Sequence, residues 1–496
     1  MTTQPDPNRW KALALLCVAF FMVILDSQIV ILGLPSIEAE LGMSADAGQW
    51  VMSAYLLSFG GLLLLGGRSA DLLGRRRMFI VGTGLFLVSS LACGLAWSGG
   101  ALIGARVVQG MSAAIMAPTA LSILMNTFEE GPERNKALGV WSAIGGVGAT
   151  AALLVGGPLT DGPGWEWIFY INIPVALAVI VLSPSLLLES RELGADRVHD
   201  AGGAVTITAA LVLGVYAIVE APDVGWGDAQ TLTLFAVAAL LVAVFVAIER
   251  RSSAPLIPLR VLRSRTLVGG NLTLLALGMA AWGQGLTLSL YAQGVLGYSA
   301  VEFGLGTAVM TVGAAIGAMT GQGIVSRVGP RVVGAAGLVL ISAGLLALTQ
   351  VSAHGSYFAD MFLGLLIFGP GLGSTFVAAS VATLSGVSER EAGLASGLNN
   401  AAFQIGGALG AAIVTTVAVS QAEGPDPLAA LTAGFQASFA TAIVFAAIGL
   451  VCVLALLGKA RATPAPAPAP AVTAATPISS QQTSIEPGGT ESCMSS

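Results

Sequence analysis

The sequence predicts an all-α integral membrane protein with fourteen transmembrane helices. Of its 496 residues, 55% are hydrophobic and only 10% are charged, and the mean hydropathy is +0.84. In soluble proteins about a quarter of the residues are usually charged, so much of the surface of this protein must face lipid. The 64 glycines favour packed helices, because close helix contacts in a bilayer use small residues.

Fourteen apolar runs are long enough to cross a bilayer as helices, which takes roughly 20 residues. They cover residues 11–34, 48–66, 78–97, 100–125, 136–157, 166–188, 201–220, 230–249, 266–293, 301–323, 330–350, 357–385, 391–419 and 434–458. The residues before the first run lack the features of a cleaved signal, so we expect that run to be retained as a helix.

The basic residues give an independent check on these spans. If the spans alternate in direction, 20 of the 21 Lys and Arg residues fall on one side of the membrane. Loops on the opposite side carry acidic residues instead, among them Glu38, Asp161 and Glu423. Lys and Arg are retained in cytoplasmic loops, so we expect both termini in the cytoplasm of a cell-membrane protein. The basic residues form no block, and we expect no nucleic-acid partner.

Two parts of the chain resemble each other. The hairpin Gly67–Arg76 has a counterpart in Gly323–Arg331, with Gly74 aligned on Gly329. Parallel repeats of this kind are typical of transporters that work by alternating access. The last segment, rich in Pro and Ala, cannot bury enough apolar surface to fold. We therefore predict an N-terminal six-helix bundle (1–190), two inserted transmembrane helices with linkers (191–265), a C-terminal six-helix bundle (266–460) and a disordered cytoplasmic tail (461–496).

Asp26 and Arg106 are charged residues in the middle of apolar spans. A carboxylate at the bilayer centre costs roughly 2.5 to 3.5 kcal/mol on insertion scales, so such a residue is a functional candidate. We expect Asp26 to bind and release a proton, the alternative being a permanent structural pair. Arg106 needs an acceptor, which could be Asp26, helix-end carbonyls or a substrate, and structural bracing is the alternative role.

The cytoplasmic hairpin between the second and third spans is a candidate gate. Its glycines permit tight backbone geometry, and its charges can pair with neighbouring helix ends. The alternative is a basic loop that only sets membrane topology. The residues assigned to the gate are Gly67, Arg68, Asp71, Gly74, Arg75 and Arg76.

Gln28, Trp282 and Tyr291 are candidates for lining a substrate cavity, although packing roles are the commoner use of such residues. No P-loop or HExxH motif occurs, and the two histidines, His199 and His354, both lie in loops. The cysteines have no metal-ligand spacing. We expect no enzyme activity, no metal and no cofactor.

These residues resemble the fourteen-helix drug:proton antiporters of the major facilitator superfamily, and the resemblance covers about residues 10–460. The hairpin is similar to motif A of the superfamily, with Leu72 where Arg is usual. Asp26 lies in a pattern similar to the family's first-helix motif, with Gln28 in place of a common Thr. The fourth-span motif gives the most specific match, through Arg106, Gln109, Gly110, Ala113, Ala114 and Pro118.

The resemblance also implies an antiporter motif in the fifth span, to which Gly148, Gly156 and Gly157 correspond. Ala152 and Leu153 stand where the family normally has a Gly-Pro pair. The family implies a monomer with the major facilitator fold, two six-helix bundles plus two inserted central helices. It implies export of amphipathic drugs or antibiotics from the cytoplasm, driven by the proton gradient. A dedicated exporter or importer of one metabolite, such as an amino acid, a siderophore or a lipid-linked compound, is the alternative.

Overall fold

The computed structural model describes residues 7–129, 132–190, 201–252, 255, 263–385, 392–422 and 425–457. Within these residues the chain forms helices joined by short turns, and they contain no strand. The helices are α1 (Arg9–Leu41), α2 (Ala45–Leu73), α3 (Arg75–Gly94), α4 (Gly99–Thr127), α5 (Pro132–Asp161), α6 (Trp167–Tyr170), α7 (Asn172–Leu186), α8 (Ala201–Val224), α9 (Ala229–Arg251), α10 (Arg265–Gly294), α11 (Ala300–Val328), α12 (Pro330–Leu348), α13 (Phe362–Leu384), α14 (Ala392–Gln421) and α15 (Pro427–Leu456).

The described helices make fourteen long segments that overlap the fourteen predicted spans, because α6 and α7 form one segment and a π-helical turn, Tyr357–Met361, leads into α13. Eleven of these segments are long and apolar enough to cross a membrane. The other three are α2, α5 and α8, and α8 contains the shorter apolar stretch Val205–Ala221. The predicted all-helical membrane fold is confirmed.

The packing of the helices gathers α1 to α7 and α10 to α15 into two groups. Helix α1 packs on α2, α4, α5 and α7, while α10 packs on α13, α14 and α15. The groups meet where α2 packs on α14, α5 on α11 and α1 on α10, and α8 lies against both α2 and α14. The predicted domain boundaries stay a prediction, and the tail after residue 457 lies outside the described residues.

Two turns, one in each group, are each made by a glycine with positive φ. Gly74 joins α2 to α3 with φ 108°, and Gly329 joins α11 to α12 with φ 86°. L-residues with side chains rarely adopt such φ values, so glycine is needed at both positions. The alignment of these two glycines in the sequence therefore corresponds to a shared turn geometry.

Candidate functional site

Asp26 and Arg106 meet in the interior of the first group of helices. Arg106 Nη1 donates a hydrogen bond of 2.7 Å to Asp26 Oδ2, and the side chains are 1% and 0% exposed. Asp26 lies in α1 and Arg106 in α4, eighty residues later. The structure thus selects Asp26 among the acceptors that the sequence left open for Arg106.

Two amide side chains complete the coordination of the Asp26 carboxylate. Gln109 Nε2 and Asn172 Nδ2 each donate to Asp26 Oδ1 at 2.9 Å. The Gln109 amide also donates to Ser90 Oγ at 2.8 Å. Arg106 and Gln109 are three residues apart and so share one face of α4. We call Asp26, Arg106, Gln109, Asn172 and Ser90 the polar cluster.

Asn172 and Ser90 were not predicted as site residues. Asn172 begins α7 and Ser90 lies in α3, and each is a polar residue in a mostly apolar span. Asn172 is 1% exposed and Ser90 is fully buried. Burying an amide or a hydroxyl without a hydrogen-bond partner costs free energy, so a polar residue within an apolar span indicates a partner on another helix. This was the signal in the sequence that could have identified both residues.

The second helix holds the guanidinium of Arg106 from the other side. Arg106 Nε donates to the carbonyl oxygen of Val51 at 3.0 Å. Its guanidinium carbon lies 4.1 Å from the ring centroid of Tyr55, a cation-π contact. Arg106 Nη1 also donates to Gln109 Oε1 at 2.7 Å. The arginine is therefore held by α1, α2 and its own helix.

Gly110 allows α4 to approach α2 closely enough for these contacts. A Cβ at Gly110 would collide with Ser58 Oγ and with the backbone oxygen of Tyr55. Nearer the predicted cytoplasmic end, a Cβ at Gly67 would be 3.4 Å from Pro118 Cβ, so Pro118 packs on α2 at ordinary contact distance. Gly110 of the fourth-span motif is therefore needed for the close packing of α4 on α2 next to the polar cluster.

Gly110→Val is expected to destabilise the protein by about 1 to 3 kcal/mol, because the added side chain forces α4 away from α2. Thermal unfolding in detergent micelles measures the change. Gly104→Val in the same helix is the matched control, since nothing lies within 4 Å of a Cβ there. Equal losses in the two variants would assign the effect to helix propensity and contradict the packing explanation.

The predicted gate hairpin is tied to the end of α7. The backbone N–H of Arg76 donates to Glu189 Oε1 at 3.1 Å, and Arg76 Nη1 donates to the Leu187 carbonyl at 3.3 Å. The N–H of Arg75 donates to the Ser190 carbonyl at 2.9 Å.

Glu189 was not predicted, and its carboxylate also lies 3.8 Å from Arg77 Nε. The side chain of Asp71 lies outside the described part of the structure, and Gly67 and Arg68 lie in the last turns of α2.

Helices α1 and α5 form hydrogen bonds with the second group of helices. The described hydrogen bonds lie at the helix ends that we predict to face the outside of the cell. The Asp161 carboxylate accepts from the N–H groups of Ala300 and Val301 at 3.3 and 3.1 Å. It thereby caps the first turn of α11, where backbone N–H groups have no partner within the helix. Gly157 permits this approach, because its Cβ would come 2.5 Å from Val301 Cα.

Asp161→Asn should weaken the contact between the outer ends of α5 and α11, since loss of a charged cap costs about 1 kcal/mol. We expect the population ratio of the state with these ends apart to the state with them in contact to rise about fivefold. Distances between spin labels at the exposed outer positions Leu95 and Leu346 measure the separation. Asp228→Asn is the matched control, because Asp228 caps its own helix α9 through the Gln230 N–H at 2.8 Å. An equal shift in both variants would rule out a specific role for the Asp161 link.

The other predicted residues lie apart from the polar cluster. Trp282 is buried, and the half-buried Gln28 lies two residues beyond Asp26 in α1. The hydroxyl of Tyr291 donates to the Ser352 carbonyl at 2.8 Å near the end of α10. Their role in a substrate cavity stays a prediction.

The glycines of α5 pack on α1. A Cβ at Gly148 would lie 3.1 Å from Ile24 Cγ2, and one at Gly156 would lie 2.7 Å from Ile29 Cγ1. The helix continues unbroken through Ala152 and Leu153, the positions of the missing Gly-Pro pair. Glycine in this span therefore serves close contact with α1 and, at Gly157, with α11.

Ionisable residues enclosed between membrane helices mark sites for ions, protons or ligands, and secondary transporters are one class of protein built in this way. No group of three His, Cys, Asp or Glu side chains among the described residues could hold a metal ion. The sequence pattern of the Major Facilitator Superfamily matches residues 16–411 and 270–487. The chain belongs to this superfamily of transporters, and the resemblance seen in the sequence is confirmed.

The relatives include named resistance and export proteins. The chain is 37% identical to the puromycin resistance protein of Streptomyces alboniger, over 91% of each chain. It is 36% identical to the cephamycin export protein CmcT of Amycolatopsis lactamdurans, over 93% of this chain and 95% of the relative. The tetracenomycin C resistance and export protein of Streptomyces glaucescens is 34% identical over 83% of this chain and 76% of its own length.

Solved structures agree with the fold. A bacterial homolog of the human lysosomal transporter Spinster has a TM-score of 0.62 at 17% identity, over 91% of this chain and 98% of that one. The POT family transporter PepTSo has a TM-score of 0.65 at 14% identity, over 90% of this chain and 96% of that one. At these identities the likeness concerns the fold alone. The chain is a multi-pass membrane transporter.

Proposed function

We propose that this transporter is a proton-coupled antiporter that exports amphipathic drugs or antibiotics from the cytoplasm by alternating access. The names of its relatives, which refer to resistance to or export of antibiotics, support the cargo. The enclosed pair of Asp26 and Arg106, with 2.7 Å between the charged atoms, supports the coupling. The proton gradient would drive export without a cofactor.

Asp26 is the proton-binding group in this proposal. As a carboxylate it accepts hydrogen bonds from Arg106, Gln109 and Asn172. Protonation removes the charge that faces Arg106 and leaves the guanidinium with the Val51 carbonyl and Gln109 Oε1. The link between α1 and α4 is therefore weaker in the protonated state.

Helix α1 connects this site to the contact between the two groups of helices. Ser289 Oγ of α10 donates to the Ile31 carbonyl at 2.8 Å, and Gln293 Nε2 donates to the Leu32 carbonyl at 3.3 Å. Ile31 and Leu32 lie about 8 Å along α1 from Asp26, at 1.5 Å per residue. A shift of α1 on protonation would thus reach contacts that must change during alternating access.

The expected setting is a monomer in the cell membrane with both termini in the cytoplasm. Its partners are protons, the lipid bilayer and a small amphipathic substrate, without nucleic acid. A dedicated exporter of one compound is the second candidate, because the three relatives described above are each named for a single antibiotic.

Inside-out vesicles with an acid interior test the proposal. We expect them to accumulate puromycin or a fluorescent cationic dye and to release lumenal protons when either compound is added. Vesicles without the protein are the control, and an ionophore that collapses the pH difference should stop accumulation. Accumulation that survives this collapse would contradict proton coupling, and proton release with one compound alone would favour the dedicated exporter.

A further inference from the structure

An apolar groove runs between the first halves of α1 and α5. Its volume is about 530 Å³, and the described residues that line it include no charged side chain. Leu13, Val18 and Phe21 form one wall, and Val140 and Ile144 form the other. Val18 and Val140 are 44% and 40% exposed, so the groove is open along its length.

The groove has the depth of one leaflet. Its lining on α1 extends from Trp10 to Phe21, which is about 16 Å along a helix at 1.5 Å per residue. Half of a bilayer's hydrocarbon core is about 15 Å thick. Trp10 lies at one end, and tryptophan is typical of the membrane interface. The groove therefore matches the path of one acyl chain in the leaflet next to the N-terminus.

Among the described residues with a contact at the Trp10 end, positive charges outnumber negative ones. Arg9 Nε is paired with Glu133 Oε2 at 3.1 Å, which balances that acidic residue. Lys136 Nζ lies 5.3 Å from the Trp10 ring centroid, and Lys11 is exposed in the first turn of α1. Lys136 thus lies beside the Trp10 end of the groove, and Lys11 follows Trp10 in the chain at the same end of α1.

We propose that this groove binds an anionic phospholipid of the inner leaflet, with one acyl chain between α1 and α5 and the phosphate near Lys136 and Lys11. Basic pockets between helices on the cytoplasmic side favour anionic headgroups. A cationic amphiphile would meet like charges at this end of the groove. The assignment does not depend on proton coupling or on the exported substrate.

Quenching of Trp10 fluorescence by brominated lipids tests the assignment. The full chain is placed in nanodiscs of phosphatidylcholine with increasing fractions of brominated phosphatidylglycerol or brominated phosphatidylcholine. The chain has eight tryptophans, so the Trp10 signal is the difference between the wild type and Trp10→Phe. Trp97, 86% exposed in the turn between α3 and α4, gives the matched control through Trp97→Phe.

We expect half-maximal quenching of Trp10 to need a fraction of phosphatidylglycerol at least about fivefold lower than the fraction of phosphatidylcholine. One or two lysines near an anionic headgroup provide that much preference, at about 1 kcal/mol per lysine. Trp97 should show no such preference. The surface double variant Lys11→Gln with Lys136→Gln should remove the preference. Ala14 also lines the groove, so Ala14→Phe should fill it and reduce quenching by both lipids. The proposal would be overturned if the two lipids quenched Trp10 half-maximally at the same fraction, or if neither lipid quenched the Trp10 signal.

Discussion

Asp26→Asn is expected to reduce proton-coupled export to the background of vesicles without the protein, a loss of at least about 100-fold, which corresponds to 2.7 kcal/mol or more. The amide cannot exchange a proton, yet it keeps the volume of the side chain and can still accept from Gln109 and Asn172. The measurement is substrate-triggered proton release from inside-out vesicles, made beside substrate binding to the purified protein. Binding should persist while proton release disappears.

The matched control for this variant is Asp360→Asn. Asp360 is also a buried carboxylate, 8% exposed, but its Oδ2 lies 3.3 Å from the Tyr291 hydroxyl oxygen, and Asp360 is far from Arg106 in the chain. Asp360→Asn should retain coupling. Proton release of ordinary size from Asp26→Asn would remove Asp26 from the mechanism and leave the pair with a structural role.

Arg106→Met should destabilise the protein by about 3 to 5 kcal/mol, because it leaves the Asp26 carboxylate buried without its counter-charge. The Val51 carbonyl and Gln109 Oε1 would each lose a donor as well. Thermal unfolding in detergent micelles measures the loss. Val107→Ala is the matched control, since Val107 is the next residue of α4 and is 37% exposed.

The double variant Asp26→Leu with Arg106→Met separates structure from function. Replacing both members of a buried ion pair with apolar residues is often neutral or stabilising. We therefore expect stability to recover while proton release stays absent. A double variant less stable than Arg106→Met alone would contradict the view that the unpaired carboxylate causes the loss.

The sequence by itself determined the membrane class, the spans and the two charged residues of the polar cluster. Hydropathy is a property of a local run of about 20 residues, so it identifies each helix without knowledge of its neighbours. A charge within such a run is costly wherever the helix packs, so Asp26 and Arg106 were evident from the same pattern. The fourth-span motif further indicated the family, and Gly74 and Gly329 indicated two equivalent turns.

Only the tertiary structure decided which side chains meet. Asn172 joins Asp26 across 146 residues, and Asp161 caps α11 across 139 and 140 residues. Glu189 holds the Arg76 backbone across 113 residues. Such contacts depend on which helix faces are turned toward each other and on how closely glycines such as Gly110 and Gly157 let them approach. Neither property is local, so hydropathy and charge along the chain could not supply it.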